Sequence, residues 1–305
     1  MPIETNPFSK NFLEVLQHSK TYKVNNATNN LELFTCQINA NKFNYSQMVE
    51  SLLEAVAYFS ISRKKLSEYQ SSPMKLSQRA REKFKNYKKN KGELGEFLLF
   101  CFLEGHLGAP KVLSKLELKT ATNMYVNGSD GIHFLRLPNG DYQLIFGESK
   151  VYADLTDGLR DAFHSVRDFI NETSGSGEKS GINYEKHLIS SNIFNKTWSP
   201  EEEAFIEGLI YPSTDNSFNV DDAFGIFIGF EINITDEQKK LSNSEFRVAI
   251  NKQINDIVTK KIKNIEKYIS ENELFGYTFH VYTMPFTDID KTREIILENL
   301  IKWHF

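Results

Sequence analysis

Glu148 and Lys150 stand at the end of an apolar run, in the segment YQLIFGESKVY at 142–152. Residues two apart on a strand project from the same face, so a strand here places the carboxylate beside the ammonium. Such a pair at a strand end can bind a divalent metal ion and polarise a phosphate or position a water molecule. The E-x-K pattern alone is common, and an ordinary surface ion pair is the alternative interpretation.

The segment upstream predicts a β-hairpin. The tripeptide Pro-Asn-Gly at 138–140 is typical of a three-residue loop, with proline at the first turn position and glycine in the left-handed conformation. This loop pairs Leu137 with Asp141. The same register gives mainly apolar pairs on one face, which favours it: Arg136 with Tyr142, Phe134 with Leu144, and Ile132 with Phe146.

One further step of this register predicts Asp130 directly opposite Glu148, with Lys150 just beyond. A slip of one residue would turn Asp130 to the other face, and the apolar pairs argue against the slip without excluding it. Two facing carboxylates repel unless a cation or a proton lies between them. Mg²⁺ suits this position because it takes carboxylate oxygens and keeps water and phosphate oxygens as its other ligands.

Asp130 in GSDGIHF, followed after a hairpin by Glu148-Ser149-Lys150, resembles the D…(D/E)xK core of the PD-(D/E)xK nuclease superfamily. The resemblance implies an α-β-β-β-α-β core and a metal-dependent phosphodiesterase. Ser129 stands where the superfamily signature has proline, a position that varies among its members.

The segment KGELGE at 91–96 resembles the (R/K)GxxxE element of some members of that superfamily. The glutamate of that element, here Glu96, joins the metal site, and Glu93 one turn earlier is a weaker candidate. The resemblance thus implies Mg²⁺, with Mn²⁺ as a substitute, held by Glu96, Asp130 and Glu148. Lys150 completes the catalytic set.

Several longer segments are similar to the HamA family of Hachiman anti-phage defence effectors. They are KGELGEFLLFCFLE, KLELKT, NGSDGIHF, LIFGESKVY and LxDGLRDAFHSV, which together cover about residues 90–170. This similarity implies a DNA-degrading effector of a bacterial defence system, held in complex with a HamB-like helicase partner.

The charge distribution is compatible with DNA as the substrate. The net charge is −4, yet the stretch at 75–91 carries eight basic residues and one acidic residue. Such a stretch can neutralise phosphates, although a solvated linker or helix face is the alternative. No base-reading module is recognisable, which favours backbone contacts and low sequence specificity. Candidate DNA contacts are Lys88, Lys89, Lys91, Lys119 and Arg160.

The elements around these residues predict an α/β fold, with a mixed central sheet flanked by helices. We expect an N-terminal α/β extension with the basic segment at 1–88 and a PD-(D/E)xK restriction-endonuclease-like nuclease domain at 89–305. Hydrophobic periodicity predicts strands at 31–38, 112–120, 131–137, 142–152, 223–232 and 276–286, and helices at 45–59, 92–107, 158–170, 245–271 and 288–302.

The composition adds few constraints. No apolar run of the 305 residues approaches the roughly 20 needed to span a bilayer. The first residues do not resemble a signal peptide, and Cys36 and Cys101 form no metal-ligand pattern. We therefore expect a cytoplasmic protein that does not bind membranes. Three functions stay open: a metal-dependent DNA endonuclease, a catalytically silent DNA-binding or regulatory subunit, and a purely structural interaction protein.

Overall fold

A seven-stranded mixed sheet runs through the centre of the molecule, in the order β1-β2-β9-β8-β7-β6-β5. The computed structural model describes residues 3–24, 29–84, 91–114, 116, 128–172, 181–193, 199–213 and 216–301. The strands of this sheet are β1 (Leu16–Val24), β2 (Asn29–Cys36), β5 (Lys111–Ser114), β6 (Gly131–Arg136), β7 (Tyr142–Val151), β8 (Val220–Glu231) and β9 (Thr278–Phe286). A separate ribbon pairs β3 (Ile38–Asn39) with β4 (Lys42–Phe43).

Four neighbouring strands, β2, β9, β8 and β7, run parallel. Their sequences are nearly continuous apolar runs, as in IFIGF of β8, because helices cover both faces of a parallel sheet. Antiparallel β1 flanks them on one side and antiparallel β6 on the other, and β5 forms the outer edge beside β6. The predicted mixed α/β sheet flanked by helices is confirmed.

Helices pack on the sheet and around its ends. The described helices are α1 (Asn11–Glu14), α2 (Tyr45–Leu53), α3 (Val56–Ser60), α4 (Arg63–Glu68), α5 (Pro73–Glu82), α6 (Glu93–Gly105), α7 (Leu155–Ile170), α8 (Ile182–Ile193), α9 (Pro200–Ile210), α10 (Asp236–Lys239), α11 (Asn243–Glu271) and α12 (Ile289–Ile301).

Helix α6 is buried along its whole length, as its all-round apolar sequence predicts. It lies against β7 and β8 where these strands carry the paired glycines Gly147 and Gly225. A Cβ at Gly147 would lie 3.0 Å from a methyl carbon of Leu99, and one at Gly225 would lie 2.9 Å from Leu103. The two glycines therefore allow α6 to approach the sheet closely.

The hairpin between β6 and β7 has the predicted turn. The N–H of Leu137 donates to the carbonyl oxygen of Asp141 at 2.8 Å, and Gly140 has a φ of 94°. Five residues of β6, Ile132 to Arg136, pair with β7 in the predicted register. Turn chemistry and apolar pairing were sufficient to fix this part of the sheet.

Some predicted elements differ from the structure. The helix expected at 45–59 is two helices, α2 and α3, because the N–H of Ala55 donates to the carbonyl oxygen of Leu52, a tightened turn that interrupts the α-helix. The strand expected at 112–120 is described only as β5, and its later residues lie outside the described part. Strand β1 and helices α8 and α9 were not predicted.

Strands β1 and β2 belong to the central sheet, because β2 pairs with β9. The proposed boundary between residues 88 and 89 stays a prediction; the strands before it and those after it share one sheet. Within the described residues, no helix is both long enough and apolar enough to span a bilayer.

Candidate active site

Glu148 and Lys150 form an ion pair near the end of β7, with 2.7 Å between the Glu148 Oε1 and Lys150 Nζ atoms. Their side chains are 18% and 24% exposed, so both reach solvent from a half-buried position. Burial alone would lower the pKa of the Lys150 ammonium. The Glu148 carboxylate outweighs burial, and with Asp130 it raises that pKa above its ordinary value. Lys150 is therefore a firmly charged cation.

Asp130 lies just before β6 and departs from the predicted register. Its N–H donates to the carbonyl oxygen of Gly147 at 2.8 Å, which is one residue away from the register that direct pairing with Glu148 requires. Its Oδ2 atom accepts hydrogen bonds from the N–H of Ser149 at 2.8 Å and from the Ser149 hydroxyl at 2.7 Å. The expectation that Asp130 lies directly opposite Glu148 is therefore wrong, because local hydrogen bonding to Ser149 displaces the end of the ladder.

Glu96 lies in the first turn of α6 and is 7% exposed. It lines a small cavity together with Asp130, which is 8% exposed, and with Gly147 of β7. Position 95 must be small, because a Cβ at Gly95 would lie 3.0 Å from the Ser149 hydroxyl oxygen. The start of α6 is thus packed directly against the segment that carries the E-S-K sequence.

The four predicted catalytic residues fall into two pairs on either side of the β7 backbone. Ser149 faces α6, and side chains alternate along a strand, so Glu148 and Lys150 project towards α7. The Asp130 carboxylate is hydrogen-bonded to Ser149 and is therefore grouped with Glu96. Its charge nevertheless raises the pKa of Lys150. The structure brings the four residues to one end of β7.

Glu96 and Asp130 line one cavity, whereas Glu148 lies on the other side of the β7 backbone, so these described carboxylates do not form a closed ligand set. Among the described residues, the group whose ligand atoms all lie within 4.8 Å of one another consists of two histidines and a glutamate elsewhere in the fold. Glu96, Asp130 and Glu148 are oxygen donors of the type that Mg²⁺ prefers. Their chemistry fits this ion, although their spacing is wider than that of the histidine group.

His133 belongs to the wall of the same cavity, and the backbone holds its ring. It is 2% exposed, and its Nδ1 donates to the carbonyl oxygen of Ala109 at 2.9 Å. Burial lowers its pKa to about 4, with the Lys111 charge acting in the same direction against the Ala109 hydrogen bond. His133 is therefore a neutral, buried side chain at physiological pH.

Comparison with known proteins assigns the chain to a family. The sequence model of the HamA family matches residues 10–300, which is nearly the whole chain. The chain belongs to the HamA family. Among curated proteins, none matches it. Membership makes the chain an effector of the Hachiman defence system, in which it acts with a partner.

Two of the five candidate DNA contacts of this HamA family member, Lys91 and Arg160, lie in the part of the chain that the structure describes. Lys91 is exposed and lies 3.7 Å from the Asp290 carboxylate. Arg160 on α7 pairs with Asp157 at 2.9 Å and with Asp161 at 3.2 Å. Lys88, Lys89 and Lys119 lie outside the described residues.

Sequence reasoning missed the role of Ser149 in this HamA family member. Strand alternation indicated only that Ser149 faces away from Glu148 and Lys150. Nothing in the spacing predicted that its hydroxyl and its N–H both bind Asp130. Just beyond β7, Asp154 is the N-cap of α7 and accepts from the N–H groups of Thr156 and Asp157.

Proposed function

We propose that the chain is a Mg²⁺-dependent DNA endonuclease of low sequence specificity that acts as a Hachiman effector in complex with a helicase. The observation that carries this proposal is the attachment of Asp130 to Ser149 through two hydrogen bonds. It holds the Asp130 carboxylate against the E-S-K segment at the end of β7, beside a charged Lys150. A carboxylate pair with a lysine at a sheet end is suited to phosphodiester hydrolysis.

Glu96, Asp130 and Glu148 would hold the metal, and Mn²⁺ is a plausible substitute because it also favours oxygen ligands. A bound Mg²⁺ supplies charge stabilisation at the scissile phosphate and a more acidic water molecule. Ser149 positions Asp130, and the buried start of α6 positions Glu96. Both contacts keep the carboxylates oriented before substrate arrives.

Lys150 has the role of a fixed cation. Its ammonium stays protonated because Glu148 lies 2.7 Å away and Asp130 adds to the same effect. A fixed positive charge aimed at the phosphate stabilises the negative charge that develops as water attacks. Its partial exposure, 24% for the side chain, leaves it accessible to the DNA backbone.

DNA would be held mainly through its phosphates. Lys91 near the start of α6 and Arg160 on α7 both have exposed side chains. We assign Lys88, Lys89 and Lys119 to the same backbone-contacting set on the basis of their charge and sequence position. Phosphate contacts fix the position of a protein on DNA but carry no sequence information, which accounts for low specificity.

A second candidate function follows from the spacing of the carboxylates. They do not converge as closely as the histidine group does, and Glu148 is engaged by Lys150. A catalytically silent subunit that binds DNA or regulates a helicase would keep these contacts without cleaving. This alternative predicts DNA binding with no metal-dependent cleavage.

Cleavage of supercoiled plasmid by the isolated chain tests the proposal, with Mg²⁺, with Mn²⁺ and with EDTA. We expect nicking and linearisation only with a metal ion. Glu148→Gln combined with Lys150→Met should abolish cleavage. The matched control removes another ion pair, Lys252 with Asp256 on the exposed side of α11, through Lys252→Met combined with Asp256→Asn.

Cleavage that is equal in the two double variants, or absent from the wild-type chain at every protein concentration, would sink the nuclease proposal. Persistent binding of the same DNA in a gel-shift assay, without cleavage, would then establish the silent alternative.

A further inference from the structure

His18, Glu32 and His106 form a cluster beside β1 and β2, at the other end of α6 from Glu96. They come from β1, β2 and the C-terminal end of α6, and a ligand atom of each lies within 4.8 Å of those of the other two. The Nε2 atom of His18 is 2.7 Å from the Glu32 Oε2 atom. Two imidazoles and one carboxylate are a common ligand set for divalent transition metals.

A β-bulge in β1 builds this cluster. The pairing of β1 with β2 shifts between His18 and Lys20. Side chains three residues apart on a regular strand point to opposite faces. Because of the bulge, the side chains of His18 and Thr21 lie on the same face of the sheet. Both contact the Oε2 atom of Glu32, Thr21 at 2.6 Å. Bulges often re-aim side chains at functional sites.

The surroundings hold each ligand in place. The ring of Phe34 stacks on His18 with centroids 4.6 Å apart and meets the His106 ring edge-on at 5.2 Å. The Nδ1 atom of His106 lies 3.2 Å from the Tyr282 hydroxyl, which leaves Nε2 as the nitrogen for a metal. Thr21 orients the carboxylate in the same way. Such outer contacts are typical of ligated histidines and carboxylates.

The site is accessible and electrostatically suited to a cation. The Glu32 side chain is 10% exposed, whereas that of His18 is 40% exposed, so an ion can enter past His18. His106 is the C-cap of α6, where the carbonyl groups of the helix end carry partial negative charge. A cation there gains from both the helix and the Glu32 carboxylate.

We propose that His18, Glu32 and His106 bind a divalent transition-metal ion such as Zn²⁺, with water as a further ligand. The ion replaces the proton between His18 and Glu32, and the two ligand atoms separate to about 3.3 Å, the edge of a tetrahedron with bonds near 2.0 Å. It ties β1 and β2 to the end of α6, the helix whose first turn carries Glu96. It is a second metal site, of different ligand chemistry from the carboxylates at β7.

Zn²⁺ binding by the full chain tests this proposal. The chain is prepared without a histidine tag and in the Glu148→Gln background, so that metal at the candidate active site does not contribute. After EDTA treatment and dialysis against Zn²⁺, we expect about one Zn²⁺ per chain by atomic emission. The Co²⁺ form should show visible absorption from a four- or five-coordinate site.

His18→Gln and His106→Gln should each weaken Zn²⁺ binding at least about tenfold and remove the Co²⁺ absorption. The matched control is His187→Gln, because His187 is exposed on α8 and outside the cluster. His18 is a tolerant position on an edge strand, and circular dichroism of the metal-free proteins checks the fold. A parent chain that retains no Zn²⁺, or cluster variants that bind as tightly as the His187→Gln control, would overturn the proposal.

Discussion

Ser149 connects the two halves of the candidate site, because its N–H and its hydroxyl both hold the Asp130 Oδ2 atom. Residues that orient metal ligands typically change metal affinity 10- to 100-fold when they are replaced. In Ser149→Ala we expect the Mg²⁺ concentration for half-maximal plasmid cleavage to rise about tenfold, with the saturated rate less affected. Ser270→Ala, on the exposed side of α11, is the control. An unchanged Mg²⁺ requirement would show that the Asp130–Ser149 contact does not position a metal ligand.

The lowered pKa of buried His133 predicts that the folded chain loses stability in mild acid. Its pKa is about 4 in the folded chain, because burial disfavours the charged ring, against about 6.5 when unfolded. The unfolded state therefore takes up a proton first as pH falls. Neutral His133 contributes about 3 kcal/mol to the free energy of unfolding. This contribution is fully present above pH 6.5 and is lost as the pH falls from 6.5 to 4.

Urea unfolding at pH 7 and pH 4.5 measures this effect. In His133→Gln the free energy of unfolding should depend less on pH over that interval than in the wild-type chain. An equal pH dependence in the two proteins would exclude His133 as the cause.

The sequence correctly predicted that Glu148 and Lys150 lie side by side and that the hairpin pairs in its observed register, because turn chemistry and strand alternation are local rules. It failed at Asp130, where a side-chain hydrogen bond to Ser149 overrides the backbone register. Local rules could not predict the histidine cluster, because its three residues come from separate parts of the chain that only the tertiary fold brings together.

Helix α6 has to fit between the sheet and the N-terminal segment. At Gly105, its last residue, an added Cβ would overlap the backbone oxygen of Ser9. Since a backbone atom cannot rotate away as a side chain can, we expect Gly105→Ala to destabilise the fold by about 3 kcal/mol. Gly92→Ala is the control, because its Cβ would make an ordinary 3.4 Å contact with Glu96. Equal denaturation midpoints for the two variants would contradict the close packing.

The long elements were predictable and the irregular ones were not. Strand β8 and helix α11 match the expected segments closely, since each has a sustained apolar pattern. Strand β1 was missed because its bulge breaks the alternation of buried and exposed residues. Helix α9 had a readable signal, the capping box of Ser199 and Glu202 with proline at the first turn.

The molecule carries a net charge of −4, so DNA binding must depend on local basic residues. Each phosphate contact releases condensed counterions, and its removal lowers the salt dependence of affinity. We expect Lys91→Gln and Arg160→Gln each to reduce the slope of log affinity against log salt by about 1. Binding is measured by fluorescence anisotropy in EDTA, with Lys252→Gln as the control. Slopes that match that control would remove Lys91 and Arg160 from the DNA surface.

The pairing of β2 with β9 has a consequence for how the protein is made. The side chain of Asn29 accepts a hydrogen bond from the N–H of Phe279, 250 residues later in the chain. During translation, β2 therefore has no β9 neighbour until the ribosome has produced the segment around Phe279. Contacts so distant in sequence slow folding and leave strand edges exposed to aggregation. We therefore expect the nascent chain to expose the edge of β2 until β9 has emerged.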